Sequence, residues 1–346
     1  MTAAIPSLLP TTVIGSHAYP GWMWTALDEI EKGGYGRTDE RELYDDAVNM
    51  AMLDQEKAGV DIISDGEMRR WYFVQSFYKR IQGIEQEPEL RKVGLYGYDS
   101  PPRYKAVEKL GVPDGLGIVE EYWYARANTA KPIKVTCPGP LTLTIHIRPG
   151  DAYRDRVEMS WDFAEAINRE LKALVDEGVE YIQLDEPSFA VIPGQLQNWI
   201  ELYNAAVEGV NARVALHICF GNLTSRPRGK RSYAWMFPQV QECRYDELVL
   251  EYANREMSEI ENWKDWAGDK KLGVGVIDVK SFYVESPEDV AERIRLAMQY
   301  GPAEQLVVNP DCGFFQLPRW ITRMKLDNMV AGAQIVRDEI GNQGQG

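Results

Sequence analysis

The chain has 346 residues, 45% of them hydrophobic and 26% charged, with a formal net charge of −15. The length allows one large core or two small ones. With no Lys/Arg cluster beyond residues 226–231, the acidic balance argues against a nucleic-acid partner, which needs its phosphates neutralised.

No apolar run approaches the ~18 residues of a membrane span. The N-terminus lacks the charged and long apolar regions of a signal peptide. Cys137, Cys219, Cys243 and Cys312 are too few for a disulfide framework and suit a reducing cytoplasm, where thiols are buried, metal-bound or catalytic. Of these, Cys137 and Cys243 read as buried spectators.

Strands are expected at residues 11–15, 60–64, 133–137, 181–184, 213–217, 247–250, 273–278 and 305–309. Each run is short, rich in Val, Ile and Leu, and continuous rather than alternating, as for parallel strands buried on both faces. Amphipathic helical stretches at 40–58, 159–176, 195–210, 257–267, 287–300 and 319–338 fall between or after them. Gly59, Gly178 and Gly301 stand where left-handed helix caps are wanted. Ser286-Pro287 supplies a cap and a first-turn proline. Eight β-then-α units predict a single (β/α)8 barrel of the TIM type spanning the chain, with a doubly wound sheet as the alternative. Residues 84–130 are too long for a loop and predict an inserted helical hairpin or lid after the second strand.

Barrel enzymes place their chemistry at the carboxyl ends of the strands. There this chain sets His217 and Cys219, two apart and on one face of a strand, and Cys312 after the last strand. Two thiols and an imidazole with one position open form the ligand set of a catalytic zinc, with Glu251 as a displaceable fourth ligand. Such a site can hold an incoming thiol as thiolate, which suits alkyl transfer onto sulfur. Glu67 and Asp185 then suit a substrate ammonium. Backbone N–H groups near Gly15 and Ser16, opening onto the first helix, suit its carboxylate. Trp22, Trp24, Trp71, Tyr72, Phe73, Tyr122, Trp123 and Tyr124 offer either a stacking surface for a flat donor or packing between insertion and barrel.

Taken together, the motifs Leu9-Pro10-Thr11-Thr12-Val13-Ile14-Gly15-Ser16, Asp65-Gly66-Glu67, Gly139-Pro140-Leu141-Thr142 and Gln183-Leu184-Asp185-Glu186-Pro187 belong to one pattern. It continues through His217-Ile218-Cys219, Leu248-Val249-Leu250-Glu251, Gly275-Val276-Ile277-Asp278 and Val308-Asn309-Pro310-Asp311-Cys312-Gly313. In this order they resemble the C-terminal catalytic barrel of the cobalamin-independent methionine synthase family, over nearly the whole chain. The resemblance implies zinc on His217, Cys219, Glu251 and Cys312, and homocysteine on Ile14, Ser16, Glu67 and Asp185.

The departures from the family fall in the donor half. The chain leaves no room for the family's second, N-terminal barrel. His146 stands where the family stacks the pterin on a tryptophan, and Lys280 where a histidine serves the folate leaving group. His146 is therefore a candidate substrate-binding residue, and Lys280 either a catalytic one or a partner of Glu251 or Asp278. This pattern resembles the short core members of the family and predicts methylcobalamin or a corrinoid protein as methyl donor rather than polyglutamyl methyl-tetrahydrofolate. Two rivals remain: alkylation of another thiol, such as coenzyme M opening an epoxide, and a non-catalytic corrinoid- or folate-binding barrel with structural zinc.

Overall fold

The structure, a computed structural model, describes residues 5–70, 73–88, 102–222, 231–265 and 270–343. Trp71 and Tyr72, and residues 226–230 of the basic cluster, lie outside them. In chain order the main elements are α1 (Gly21–Glu31), α2 (Arg37–Ala58), β1 (Gln82–Gln86), β2 (Tyr104–Gly111) and α3 (Ile118–Asn128). Next come β3 (Val135–Pro138), α4 (Pro140–Leu143), β4 (Ile147–Arg148), α5 (Arg156–Asp176), β5 (Tyr181–Asp185), α6 (Ser188–Val191) and α7 (Leu196–Ala206). The chain continues with β6 (Arg213–Ile218), β7 (Glu247–Leu250), β8 (Lys271–Ile277), α8 (Pro287–Met298), β9 (Leu306–Pro310) and α9 (Arg319–Gln343).

Six strands pair in the order β3-β5-β6-β7-β8-β9, every pair parallel. Nearly all their residues are buried, which accounts for the unbroken apolar runs. Three isolated parallel bridges, Thr11 to Val308, Thr12 to Ile62 and Ile63 to Ile133, carry the order from β9 round to β3. The sequence order of a (β/α)8 barrel is thus realised. The first two positions are single bridges because side chains replace part of the ladder. The Asp61 carboxylate accepts both the N–H and the hydroxyl of Thr11 at 2.8 Å, and the Thr12 hydroxyl donates to the Ile62 carbonyl at 2.9 Å.

Local chemistry sets most helix ends as expected. Gly59 and Gly178 take φ of 84° and 89°. Ser286 caps α8 by accepting the Asp289 N–H, with Pro287 in the first turn. Gly301 differs, being absent from the left-handed positions. It is needed for packing, because a Cβ there would lie 1.8 Å from the Trp263 indole nitrogen. Where a helix is expected at 257–267, the described residues form a 3-10 turn at Ile260–Asp265, set off from an earlier one at Ala253–Arg255 by positive φ at Glu256, Met257 and Glu259; residues 266 and 267 lie outside the described ones.

Of the stretch expected as an inserted lid or helical hairpin, residues 89–101 lie outside the described ones. Among its described residues β1 and β2 form an antiparallel pair, β2 lies parallel to β4, and α3 is the one helix. Tyr104 and Val107, set among charged residues, suit a solvated strand. Glu170 of α5 anchors α3 by accepting the N–H groups of Leu116, Ile118 and Val119, the first two at 2.7 Å. Arg70 then clamps Glu121 of α3 with two hydrogen bonds, of 2.9 and 2.7 Å. Among the described residues, no helix is long and apolar enough to cross a membrane.

Candidate metal centre

The register of the sheet builds the centre. β5 pairs β6 so that Asp185 stands opposite His217, and Cys219 follows two residues on, at the end of the strand. Cys312 arrives from beyond β9. The Cys219 and Cys312 sulfurs lie 3.6 Å apart. One ligand atom each from His217, Cys219 and Cys312 fall within 4.8 Å of one another. His217 Nδ1 is 2.7 Å from Asp185 Oδ1, and the same carboxylate oxygen accepts from Gln183 Nε2 at 2.7 Å. The imidazole is thereby oriented, and its buried Nε2 has no hydrogen-bond partner.

This donor set fits a metal ion. An orphaned ring nitrogen deep in the protein is costly unless something else is bound to it, and a carboxylate on the far nitrogen is the usual support of a metal-bound histidine. Burial lowers the His217 pKa, but the Asp185 carboxylate overcomes it and holds the group above its ordinary value. The neighbouring Cys219, followed by burial, holds the Cys312 thiol well above its usual range. Two thiolates this close would call for a cation between them.

Glu251, expected as the fourth ligand, is not in the gathered set. It follows β7 directly, where its N–H donates to the Tyr233 hydroxyl at 2.9 Å. Its Oε2 accepts the Phe220 N–H at 3.3 Å and lies 2.8 Å from Lys280 Nζ, while its Oε1 is buried without a partner. Of the two partners expected for Lys280, Glu251 takes the ammonium and Asp278 takes the backbone N–H. Asp311, next to Cys312, accepts the N–H groups of Tyr252, Ala253 and Asn254 at 2.6–2.8 Å, so the turn carrying Glu251 is fixed to the one carrying Cys312. Gly275 leaves room for this carboxylate, since a Cβ there would come within 2.3 Å of Asp311 Oδ1.

Across the mouth, Glu67 is buried at φ 53° beyond Gly66. Its Oε1 accepts from the Thr136 hydroxyl at 2.6 Å and lies 3.3 Å from Arg70. Burial, opposed by Arg70 and reinforced by Asp185, pushes its pKa up to about 7. Gly15 is required there, because a Cβ would meet Glu67 Oε1 at 2.4 Å. Ser16 packs on the cysteine loop: its carbonyl accepts the Phe314 N–H at 2.7 Å, and its hydroxyl fills the space a Gly313 Cβ would take. Ile14 lies in an interior cluster with Ile62, Tyr181, Ala215 and Val249, and its carbonyl accepts from Gln183. The helix expected to open at Gly15-Ser16 begins only at Gly21.

The expected donor surface is only partly assembled. Trp24 does line a cavity of about 630 Å³ with Tyr19, Phe315, Phe282, Trp320 and Arg319. Tyr19 meets Phe315 edge-on at 5.0 Å, and Phe282 and Trp320 are exposed at the rim. Tyr122 is buried, Trp123 is exposed and donates to Glu177, and Tyr124 packs under Arg69. Trp22 and Phe73 are exposed. His146 precedes β4, half-buried, and burial holds its pKa down to about 4, so it is neutral at ordinary pH. Cys137 and Cys243 are buried outside the cluster.

Several working residues escaped the sequence reading. Asp311 had a visible signal, a carboxylate beside a ligand cysteine. Tyr233 had none, since its hydroxyl bridges β6 and β7 from a loop, donating to the Ile218 carbonyl at 2.9 Å. Tyr19, Phe282 and Phe315 belong to three separate loops and Trp320 to the first turn of α9, so they share a cavity only in space.

A parallel barrel with a Cys₂His cluster and oriented carboxylates at its strand ends defines a metal-site barrel enzyme. The family profile described as "Cobalamin-independent synthase, Catalytic domain" matches residues 9–335, and the chain belongs to that family. It is 34% identical to a methionine synthase of Sulfurisphaera tokodaii over 338 residues, covering 97% of this chain and 95% of that one. It is 35% identical to a methionine synthase of Saccharolobus solfataricus, covering 97% of each. Among solved structures, a B12-independent methionine synthase of a Shewanella species, in complex with selenomethionine, superimposes with a TM-score of 0.83. That match has 31% identity and covers 96% of this chain and 99% of that one. A methyltransferase from Methanosarcina mazei shares the fold, with a TM-score of 0.63 at 14% identity, covering 95% and 94%. The enzyme class expected from the motifs, a methionine-synthase-type methyltransferase, stands.

Proposed function

We propose that this chain transfers a methyl group to the sulfur of homocysteine, forming methionine, at a zinc site held by His217, Cys219 and Cys312. The observation that carries the reading is the gathered Cys₂His set with its orphaned His217 Nε2. Zinc bound there would supply the positive charge that keeps an incoming thiol ionised at neutral pH. Asp185 keeps the His217 ring in place. Glu67 accepts the substrate ammonium, and Ser16 lines the same side. The substrate sulfur forms its bond to the methyl carbon as the bond from methyl to donor breaks, the electron pair leaving with the donor. The four cysteines are free thiols, which suits a cytoplasmic enzyme.

The family's designation as cobalamin-independent makes a methyl-tetrahydrofolate the first donor. One observation favours the second reading, a methylcorrinoid. Neither His146, neutral and next to β4, nor Lys280, committed to Glu251, replaces the pterin-stacking ring and proton-delivering histidine. Methionine formation from homocysteine, with methyl-tetrahydrofolate and methylcobalamin offered separately, decides between them. Turnover with coenzyme M and none with homocysteine would overturn the thiol assignment. No turnover with any pair, in protein carrying stoichiometric zinc, would favour a binding barrel.

A further inference from the structure

Lys280 is buried on an acid that the metal reading leaves in reserve, and the arrangement is asymmetric. The two side chains are 3% and 0% exposed, with Lys280 Nζ 2.8 Å from Glu251 Oε2. The Phe220 N–H shares that oxygen, whereas Oε1 has no partner. β7 and β8 are neighbours in the sheet, so the turn after β8 brings Lys280 alongside the end of β7. That turn is fixed in its own right: the Lys280 N–H donates to Asp278 Oδ1 at 2.7 Å, and the Asn254 amide donates to the same oxygen at 3.0 Å. Meanwhile Asp311 pins the segment just beyond Glu251. The carboxylate therefore has an ammonium on one oxygen and the other oxygen uncommitted, and it accepts from Phe220, the residue next to Cys219.

We propose that Lys280 is a positioning residue that keeps Glu251 a weak, exchangeable ligand, by holding Oε2 in an ion pair and leaving only Oε1 for the metal. The inference rests on the metal reading above and adds to it what this chain does with its fourth position. Two physical effects act in the same direction. The ammonium draws off carboxylate charge that would otherwise go to the cation, and in a dry site it also repels the cation itself. When a substrate thiol arrives, the departing carboxylate does not become an isolated buried charge, because its counter-ion is already in place. Lys280 thus weakens metal binding and eases entry of the thiol. A residue that merely filled space would do neither.

The test uses zinc-loaded protein and two binding measurements: zinc affinity by competition with a chromophoric chelator, and homocysteine affinity by calorimetry without methyl donor. For Lys280→Met the expected result is zinc bound about tenfold tighter and homocysteine about tenfold weaker, opposite signs from one substitution. Lys280→Arg should stay within about threefold of wild type in both. The double variant Lys280→Met/Glu251→Gln contains no unpaired buried carboxylate. It is expected to fold as wild type and to bind homocysteine at least as tightly as wild type, so the inference remains testable should the single variant fail to fold. Unchanged affinities in Lys280→Met, a fall in both together, or weakened homocysteine binding in the double variant would overturn the proposal. Wild-type protein that binds no stoichiometric zinc would instead fail the metal reading itself.

Discussion

Cys219 and Cys312 are separated by 93 positions in sequence, and their sulfurs lie 3.6 Å apart in the fold. The two cysteines sit at opposite ends of a four-strand run, β6-β7-β8-β9, so their meeting depends on curvature of the sheet and on no local contact. Cys312→Ser should abolish stoichiometric metal binding and reduce methionine formation by at least about a hundredfold. The metal-free variant should melt within a few degrees of metal-free wild type. Metal content after dialysis, read beside a thermal scan, checks both halves. Retained metal would remove Cys312 from the centre.

Asp185 Oδ1 lies 2.7 Å from His217 Nδ1. Asp185→Asn keeps the size of the side chain but weakens its support of the ring, and the expected cost is ~10–100-fold in metal affinity. Chelator competition measures it. An unchanged affinity would return Asp185 to a purely substrate-binding role.

The Glu67 carboxyl is pushed up to about 7 by burial, so the free enzyme holds it neutral in mildly acidic solution. A neutral carboxyl cannot pair with an ammonium. KM for homocysteine should therefore fall as pH rises towards 7 and level off above it, and Glu67→Gln should raise KM and flatten that profile. The same shift has a consequence for stability. Native protein keeps a proton that the unfolded chain releases near 4.5, so this group's contribution to stability declines as pH rises from about 4.5 to about 7. Denaturant titrations across that window, wild type against Glu67→Gln, give the sign. A KM independent of pH would separate Glu67 from the ammonium.

Trp320 and Phe282 stand exposed at the rim of the aromatic cavity, a placement that suits contact with a planar donor. Trp320→Ala should raise KM for the methyl donor several-fold and leave KM for homocysteine unchanged. Steady-state kinetics with each substrate varied in turn is the check. Equal effects on both would make the cavity part of the thiol site.

The sequence carried the barrel because its signals are short-ranged. Unbroken runs of Val, Ile and Leu such as Val307-Val308, turn glycines such as Gly59, and the Ser286-Pro287 start each report on a few neighbouring residues, and these repeat at the pace of β-α units. The His/Cys cluster was legible for the same reason, since His217 and Cys219 are two apart where β6 runs out before Gly221. Where local signals were poor, the reading went astray. The 257–267 stretch has helical spacing, but its backbone turns left-handed at Met257 and Glu259, and the insertion paired as strands because β4 offered an edge to β2.

Tertiary structure alone decided which oxygen of which acid meets which partner. From the sequence, Asp185 and Glu67 are both acids at strand ends, and Glu251 is a third. The fold gives Asp185 to His217, Glu67 to Thr136 and Arg70, and Glu251 to Lys280. Residue type and spacing fix what chemistry is available at the mouth of the barrel. Assigning it to particular atoms depends on differences of an ångström or so between groups far apart in sequence, and those are set by strand register and close packing around the buried charges.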